Sequence, residues 1–533
     1  MATNRPNILF IMTDQLGAPV LPAYGHPVVK TPNIDRLVER GTVFENSYCN
    51  SPLCSTSRVS MLSGRLPSDL DAFDNASEFP SQVPTFAHYL RAHDYRTCLS
   101  GKMHLVGADQ LHGFEERLTT DFYPVDFGWT PDWEKPEEQL EFFHTMESVT
   151  HSGVVARSMP IDYDDEATWK SARYMFDVKR DQTNKTDERP FFLCTSLTHP
   201  HDPYLTTREY YERYAEDEID MPHVKYRPVE ERDAHSARLY YHYGMHQVDH
   251  TDEDIRRSRH AYYGMISYVD DKVGELLDAL EKTGQADNTI VVFAADHGDM
   301  MGERGMWYKM SMYEWSATVP FIISHPDVPG GQRAKGNVSL VDLFPTFVEF
   351  ASGETPDPVI APHLDGHSVV PLLHGKDQDW PDTAYSEYMG EGAAGPVLMV
   401  RRGPYKYVYS DGEAGQPADP PQLFDLDKDP DELENVAGRS DYREIENELA
   451  DRVHKRWNPD DLRRRVLETQ KRRRFIYNAL SKGRTQSWDW EPRSDASDQY
   501  IRNGEVLAER EARARLDEQN RPAETYQKRA AQS

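Results

Sequence analysis

The sequence contains few cysteines and no long apolar segment. Its 533 residues include only four cysteines, which are Cys49, Cys54, Cys98 and Cys194. This number supplies no disulfide framework for a chain of this length, as is typical of proteins in a reducing compartment. No apolar run approaches the length of a membrane span, and the first residues lead into a strand-like segment without a signal peptide. We therefore expect a soluble, cytoplasmic protein that contacts no membrane.

Basic residues are also scarce relative to acidic ones. The chain has 60 lysines and arginines against 90 aspartates and glutamates, for a formal net charge of −30. This balance disfavours the binding of nucleic acid or of anionic membrane surfaces. An anionic ligand would need a local basic pocket, whereas a zwitterionic ligand would avoid the overall repulsion. A saline habitat or a simple need for solubility would equally account for the acidity.

The order of apolar patterns predicts an α/β fold. Asn7 to Thr13 is an almost wholly apolar run of strand length, as expected for a strand covered on both faces. Thr31 to Gly41 places a cap, a first-turn proline and a terminal glycine in helical order. Asp252 to Lys282 keeps helical spacing of apolar residues and precedes a buried-type strand from Thr289 to Ala294. A helix followed by such a strand is the unit of a mostly parallel sheet, and the chain length predicts one large domain and a smaller one.

Polar residues follow the ends of four predicted strands. These segments are Asp14-Gln15, Gly101-Lys102-Met103-His104, Thr198 to Pro203 and Asp296-His297-Gly298-Asp299. Ligands bind at the carboxyl ends of strands in open parallel sheets, so we expect the four segments to converge. Taken singly, Asp14 would be interpreted as a loop cap and Asp296-His297-Gly298 as an ordinary turn.

Four of these residues together favour a divalent metal site. Their ligand atoms are mostly oxygen, which suits Ca²⁺, Mg²⁺ or Mn²⁺ and is poor for zinc. Such an ion would neutralise the charge of a bound anion and favour an ionised nucleophile. The candidate ligands are Asp14, Gln15, Asp296 and His297.

A short helix is predicted to begin at a lone thiol. In the segment Leu53 to Ser63, Cys54 stands at the start of the helix and Arg58 lies one turn later. A helix N-terminus stabilises an anion, and a guanidinium matches the oxygens of sulfate or phosphate. Cys54 is therefore a candidate nucleophile or the precursor of one. The alternative is a small buried core residue, the commoner fate of cysteine.

The pattern Cys54-x-x-x-Arg58, followed by a small residue and Gly64, resembles the signature of type I sulfatases in the alkaline phosphatase superfamily. The resemblance implies a large mixed, mostly parallel sheet sandwiched by helices, with a smaller C-terminal α+β subdomain and an extended tail. It also implies that Cys54 is oxidised to formylglycine by a formylglycine-generating enzyme and that the hydrated aldehyde attacks the sulfur of a sulfate ester. The chain departs from the family by placing Thr56 where proline is usual, in the segment that the modifying enzyme reads. The implied units are residues 1–375, the catalytic domain; 376–460, the small sheet subdomain; and 461–533, the C-terminal extension.

The same resemblance suggests roles for individual residues. Many sulfatases have tandem aspartates where this chain has Asp14-Gln15, and the resemblance adds Cys54 to the ligands of one divalent ion, most simply Ca²⁺. His201 would help to protonate the leaving oxygen, and Arg58 would position the aldehyde hydrate. Lys102 and His104 would orient sulfate and manage a proton, and Lys309 would bind sulfate near the leaving group. Without the resemblance, Lys309 would be interpreted as a solvated lysine.

More specific segments resemble choline sulfatases over nearly the whole chain. These are His112 to Asp121, its continuation to Trp133, and the late segment Trp488 to Pro492 with residues 495–500. The resemblance implies hydrolysis of choline O-sulfate to choline and sulfate. A quaternary ammonium is recognised by aromatic faces and carboxylates, although each tryptophan could instead serve packing. The candidate substrate-binding residues are Trp129, His144, Glu387 and Asp495, with Asp498 as a substitute for Asp495.

Alternatives stay open at this point. The same motifs would suit a phosphonate monoester or phosphodiester hydrolase, or an arylsulfatase. From another class, an unmodified and catalytically weak homologue would bind a zwitterion or metal without turnover. The polar tail from Glu505 to Ser533 is either disordered or an arm that reaches a neighbouring chain. The resemblance favours the arm, in a homodimer or homotetramer.

Overall fold

The computed structural model describes residues 5–136, 139–140, 143–248, 251–354, 356, 363–484, 487–493 and 506–516. Its strands are β1 (Asn7–Thr13), β2 (Thr42–Tyr48), β3 (Arg96–Gly101), β4 (Glu116–Arg117), β5 (Gly153–Val155), β6 (Phe191–Ser196), β7 (Leu205–Thr207), β8 (Thr289–Ala295), β9 (Phe321–Ser324), β10 (Gln332–Ser339), β11 (Thr383–Tyr388), β12 (Val397–Arg402), β13 (Tyr405–Ser410) and β14 (Gln422–Asp425). Its helices are α1 (Pro32–Arg40), α2 (Cys54–Ser63), α3 (Phe86–Ala92), α4 (Glu147–Thr150), α5 (Met159–Asn184), α6 (Arg208–Tyr211), α7 (Ala234–His242), α8 (Asp252–Lys282), α9 (Glu314–Ala317), α10 (Leu343–Ser352), α11 (Val370–Leu373), α12 (Arg443–Arg456), α13 (Pro459–Leu480) and α14 (Leu507–Ala514).

An eight-stranded sheet forms the centre of the molecule. Its order is β10-β2-β9-β8-β1-β6-β3-β4. Only β9 runs antiparallel to its neighbours within this described sheet, so the predicted mixed and mostly parallel sheet is confirmed. Every residue of β1 and β8 is buried, which explains why both strands are continuous apolar runs.

The two predicted helices form where expected, but one cap differs. Helix α1 starts with Pro32 and ends before Gly41, and α8 spans the predicted range. The side chain of Thr31 makes no cap bond to the α1 backbone. Asp270 of α8 does so instead, because its carboxylate accepts the backbone N–H groups of Asn33 (3.0 Å) and Ile34 (2.8 Å). A residue distant in sequence therefore completes this helix.

A separate antiparallel sheet, β11-β12-β13-β14, forms the small C-terminal layer. Lys406 of β13 is buried, and its ammonium bonds to Glu314 at 2.8 Å and to Glu432. The bond to Glu314 attaches the small sheet to the chain that follows Lys309. The boundaries 1–375, 376–460 and 461–533 stay predictions.

Part of the C-terminal extension packs on the same chain. The Trp488 and Phe127 rings meet edge-on with centroids 5.1 Å apart, and Asp489 accepts a hydrogen bond from Thr120 at 2.6 Å. The two segments that resemble choline sulfatases are thus in contact. The four cysteines are buried and free, and none of the described helices is long and apolar enough to cross a membrane.

Candidate active site

The four polar segments meet at one edge of the large sheet. Strands β8, β1, β6 and β3 are consecutive neighbours and run parallel. Their carboxyl ends carry, in this order, Asp296, Asp14, the loop with His201, and Lys102. The convergence predicted from the strand ends is therefore present in the structure.

The thiol lies at the first position of helix α2, and all ten residues of this helix are buried. The first N–H groups of a helix have no partner within it, and the Ser55 N–H instead donates to Asn75 Oδ1 at 3.0 Å. The Thr56 hydroxyl donates back to the Leu53 carbonyl at 3.0 Å and contacts Ser51. These local bonds explain how so polar a helix is accommodated in the interior.

Four ligand atoms gather beside this helix. The side chains of Asp14, Cys54, Asp296 and His297 place one ligand atom each within 4.8 Å of all the others, and all four residues are buried. The Cys54 sulfur lies 3.2 Å from His297 Nε2 and 3.7 Å from Asp14 Oδ1. His297 Nδ1 contacts the Gly298 carbonyl at 3.1 Å, which leaves Nε2 facing the cluster. Two carboxylates and an imidazole in this arrangement fit a divalent cation.

Gln15 stands beside this cluster with its amide engaged by other side chains. Its Oε1 accepts from the Lys309 ammonium at 2.5 Å. Its Nε2 donates to Asp299 at 2.6 Å and to Asp202 at 3.3 Å. Gln15 therefore orients Lys309, and its predicted role as a metal ligand stays a prediction.

Arg58 is fully buried and spans both candidate metal-binding carboxylates. Its Nε donates to Asp296 at 2.9 Å and its Nη2 to Asp14 at 3.2 Å. Lys102 also bonds to Asp14. Burial alone would raise the pKa of Asp14, but the charges of Lys102 and Arg58 hold this pKa well below its usual range. Asp14 is consequently ionised and available to a cation.

Lys309 and His201 form a second polar pair. The Lys309 ammonium lies 2.7 Å from His201 Nε2, and His201 Nδ1 lies 2.7 Å from the Asp202 carbonyl. Burial and then the Lys309 charge lower the pKa of His201 well below its usual value. The neutral ring thus donates from Nδ1 and accepts the lysine proton at Nε2.

His104 is a buried imidazole whose two ring nitrogens have no hydrogen-bond partner among the described residues. Burial and then Lys102 lower its pKa to about 3. Its ring lies 5.8 Å from that of Trp129 and 5.6 Å from that of Tyr123. Because buried polar groups normally find partners, this ring indicates a place for a ligand atom.

The predicted substrate-binding residues separate into two groups. Trp129 lies against His104, while His144 stacks on Tyr308 at 4.5 Å and has its ring centroid 5.5 Å from that of His201. The Glu387 carboxylate accepts bonds from Trp457 Nε1 (2.7 Å) and from the Ser68 N–H, away from the ligand cluster. Asp495 and its substitute Asp498 lie outside the described residues.

A buried carboxylate that the sequence analysis missed is Glu391. Burial raises its pKa to about 7, with Asp74 raising it further and Lys309 acting in the opposite direction. Glu391 is therefore within electrostatic reach of the Lys309 side of the site, unlike Glu387, whose neighbouring charges are Arg456 and Asp69. Both glutamates occur in the short segment Ser386 to Glu391, and no periodic pattern distinguishes them there.

Comparisons with known proteins agree with this geometry. The family model described as Sulfatase matches residues 6–353, and those described as N-sulphoglucosamine sulphohydrolase, C-terminal, and Choline sulfatase enzyme C terminal match residues 302–458 and 464–516. The chain is 41% identical to a choline-sulfatase of Rhizobium meliloti, over 94% of this chain and 97% of that protein. It is 28% identical to human arylsulfatase K, over 94% of each chain.

The fold is also similar to solved structures. The crystal structure of phosphonate monoester hydrolase of Agrobacterium radiobacter superposes with a TM-score of 0.67 at 25% identity, covering 87% of this chain and 96% of that chain. The sulfatase model covers well over half of the present sequence. This match, and the relative identical at 41% of positions, show that the chain belongs to the type I sulfatase family and is a sulfuric ester hydrolase.

Proposed function

We propose that the protein hydrolyses choline O-sulfate to choline and sulfate. The observation that carries the proposal is the arrangement around Cys54. Arg58, Lys102 and Lys309 supply positive charge on the metal-ligand side, the Trp129 ring lies against His104, and the buried Glu391 is within electrostatic reach of Lys309. A zwitterion with sulfate at one end and a quaternary ammonium at the other matches this distribution of charge.

The sulfatase family implies a divalent ion and a formylglycine, here from Cys54. When present, these groups supply a hydroxyl nucleophile for sulfur and offset negative charge. Arg58 keeps Asp14 and Asp296 facing the cluster, because it donates to both. Lys309 and His201 hold a proton at Nζ and Nε2, only 2.7 Å apart, where it can be passed to the departing alcohol oxygen.

A quaternary ammonium has no N–H to donate, so its recognition depends on aromatic faces and negative charge. Trp129, Tyr123 and His144 supply rings around His104 and His201. We propose Glu391 rather than Glu387 as the carboxylate for the cationic group, because Glu391 is within electrostatic reach of Lys309, whereas Glu387 bonds to Trp457 and Ser68 and its neighbouring charges are Arg456 and Asp69.

The test compares three substrate classes with one enzyme preparation. The chain is produced together with a formylglycine-generating enzyme, and conversion of Cys54 is quantified by peptide mass spectrometry. Released sulfate, or phosphonate for its ester, is measured with choline O-sulfate, 4-nitrophenyl sulfate and a phenylphosphonate monoester. We expect kcat/KM for choline O-sulfate to exceed the others by more than about tenfold, and Cys54→Ala to abolish turnover.

Other outcomes identify the alternatives. A preference for the phosphonate ester would support the function of the structurally similar hydrolase, and a preference for the aryl ester would support an arylsulfatase. The proposal would be contradicted if protein that is saturated with metal and fully converted at Cys54 left choline O-sulfate intact. A chain that stays a thiol beside competent modifying machinery would favour a binding homologue.

Several accompanying proposals rest on the same resemblance. We propose Ca²⁺ as the ion, because the cluster is rich in carboxylate oxygen. We also propose a cytoplasmic location, modification by a formylglycine-generating enzyme, and a homodimer or homotetramer built with the C-terminal extension. Elemental analysis of the purified protein and light scattering of the full chain test the ion and the oligomer.

A further inference from the structure

Helix α13 contacts three segments that lead to the active site. Arg465 bonds to Asp71 and the Ser68 carbonyl, in the segment that follows the nucleophile helix. Gln470 accepts the N–H of Trp133 at 3.0 Å, four residues after Trp129. Arg463 donates to the Ala394 carbonyl at 2.7 Å, three residues after Glu391. One helix thus contacts three segments that lie close in sequence to residues of the site.

The ion pair between Arg473 and Asp74 differs from the other pairs of this helix by its burial. Two bonds of 2.6 and 2.7 Å join the guanidinium to the carboxylate. The side chains are 7% and 0% exposed, whereas Arg464 on the same helix is 56% exposed where it pairs with Asp461. A bidentate pair fixes the relative orientation of two groups, and removal of one partner from a buried pair leaves an uncompensated charge.

The residue after Asp74 connects this pair to the nucleophile. Asn75 Oδ1 accepts the N–H of Ser55 at 3.0 Å, and Ser55 directly follows Cys54 in the first turn of α2. This N–H has no acceptor within its own helix, so Asn75 supplies an anchor from outside. A displacement of Asp74 would therefore be transmitted to the first turn of α2.

We propose that Arg473 is a positioning residue for the nucleophile, acting through Asp74 and Asn75 on the N-terminus of α2. Arg473 lies within residues 464–516, which match the C-terminal choline sulfatase model. The extension thereby contributes to catalysis within its own chain. This inference deepens the proposed function and rests on it for its kinetic test.

The kinetic test compares Arg473→Met and Arg473→Lys with a matched variant, Arg464→Met, all in converted, metal-loaded enzyme. We expect Arg473→Met to lower kcat for choline O-sulfate by about ten- to a hundredfold, because small displacements of reacting groups have effects of this size. KM should change little, since substrate contacts remain. Arg473→Lys should recover part of the rate, because lysine restores the charge without the bidentate fork. Arg464→Met should match the parent, since its ion pairs are exposed.

A double-mutant cycle tests the path of the effect. Asn75→Ala alone should lower kcat. The loss of kcat in the double variant with Arg473→Met should be smaller than the sum of the two single losses in free energy, because both substitutions act on the same contact with the first turn of α2. Full additivity would overturn the inference, as would a parental kcat in Arg473→Met. If Arg473→Met does not fold, the test uses Arg473→Lys, provided that its melting temperature is close to that of the parent. A parental kcat in Arg473→Lys would then overturn the inference.

Hydrogen exchange supplies a readout that does not require turnover. The peptide from Leu53 to Ser63 should exchange faster in Arg473→Met or Arg473→Lys than in the parent, and remain unchanged in Arg464→Met. If the parent hydrolyses no choline O-sulfate, the proposed function is wrong. The comparison of hydrogen exchange still tests the positioning role of Arg473 in that case. Unchanged protection of this peptide in the Arg473 variants would overturn the inference.

Discussion

Burial shifts the pKa values of individual side chains in this site in opposite directions, and in both cases it favours the neutral form. It lowers the pKa of His297 to about 4, and together with Asp14 it raises the pKa of Cys54 to about 11. Without a bound cation, the imidazole is therefore neutral at neutral pH and the thiol stays protonated. A protonated thiol is a poor nucleophile, so metal-free, unconverted protein should lack thiolate chemistry as well as sulfatase activity.

Glu391 should make recognition of the cationic substrate pH-dependent. Its pKa of about 7 means that the carboxyl is largely neutral at pH 6 and ionised at pH 8. Since only the ionised form attracts a quaternary ammonium, KM for choline O-sulfate should fall as pH rises through this range. Glu391→Gln should raise KM at pH 8 by about tenfold and remove this pH dependence. Steady-state kinetics against 4-nitrophenyl sulfate, which lacks the cation, is the control; equal effects on both substrates would contradict the role.

Thr56→Pro should restore the family pattern without loss of the fold. Thr56 is the third residue of α2, where proline is tolerated because first-turn N–H groups have no helical acceptor. The lost hydroxyl bonds to Leu53 and Ser51 should lower stability by about 1–2 kcal/mol. Peptide mass spectrometry should find a higher formylglycine fraction than in the parent. Thr56→Ala, which loses the same bonds, should show no such gain; a gain in both variants would exclude proline as the cause.

Site residues that follow strand ends were predictable from the sequence, whereas residues whose role depends on tertiary contacts were not. Asp14, His201 and Asp296 were predictable because the strands before them are continuous apolar runs, whereas the strand before Lys102 has a weaker apolar pattern. The choice between Glu387 and Glu391 was not accessible, because Trp457, 70 residues away, engages the Glu387 carboxylate.

At the scale of elements, local signals predicted where helices begin and end but not what caps them. The apolar spacing within α8 predicted its full length, and Pro32 and Gly41 predicted the start and the end of α1. The carboxylate that caps α1 belongs to α8, and no local pattern reveals a partner more than 200 residues away. For the same reason, the contacts of α13 with the site were not predictable.

Asp270→Ala should destabilise the protein by loss of this cap, at about 1–2 kcal/mol. Burial raises the pKa of Asp270 to about 6, above its value in the unfolded chain. Its contribution to stability is therefore complete at low pH and falls as pH rises through about 6, so the variant should lose more at pH 5 than at pH 8. Urea denaturation at both values measures this difference. As a control, Asp278→Ala, on the same helix but half exposed, should have a free energy of unfolding within about 0.5 kcal/mol of the parent. A loss of stability in Asp270→Ala that grows with pH would contradict the predicted direction of the pH dependence.

At the scale of the whole molecule, the ligand cluster joins distant parts of the chain. Asp14 follows β1, Cys54 begins α2, and Asp296 and His297 follow β8. A bound ion would thus connect segments separated by almost 300 residues. The fold class was predictable because apolar patterns in the sequence indicate the order of strands and helices in the large sheet.

Metal removal should therefore lower global stability as well as activity. Binding at a thousand times Kd stabilises the native state by about 4 kcal/mol. We expect the thermal midpoint of chelator-treated protein to fall and to rise again with the logarithm of added Ca²⁺. His297→Ala, which lacks one ligand, should respond much less. A midpoint that is independent of metal in the parent would contradict the assignment of this cluster as a metal site.

The complete burial of α2 has a consequence for how the protein matures. Under the proposed conversion of Cys54, the modifying enzyme needs access to this helix, and all ten of its residues are buried in the folded chain. Conversion and folding would then compete for the same newly made polypeptide, and molecules that fold first would keep an unconverted Cys54. The active fraction of a preparation should accordingly be decided during synthesis, and later incubation of the purified product with the modifying enzyme should leave it unchanged.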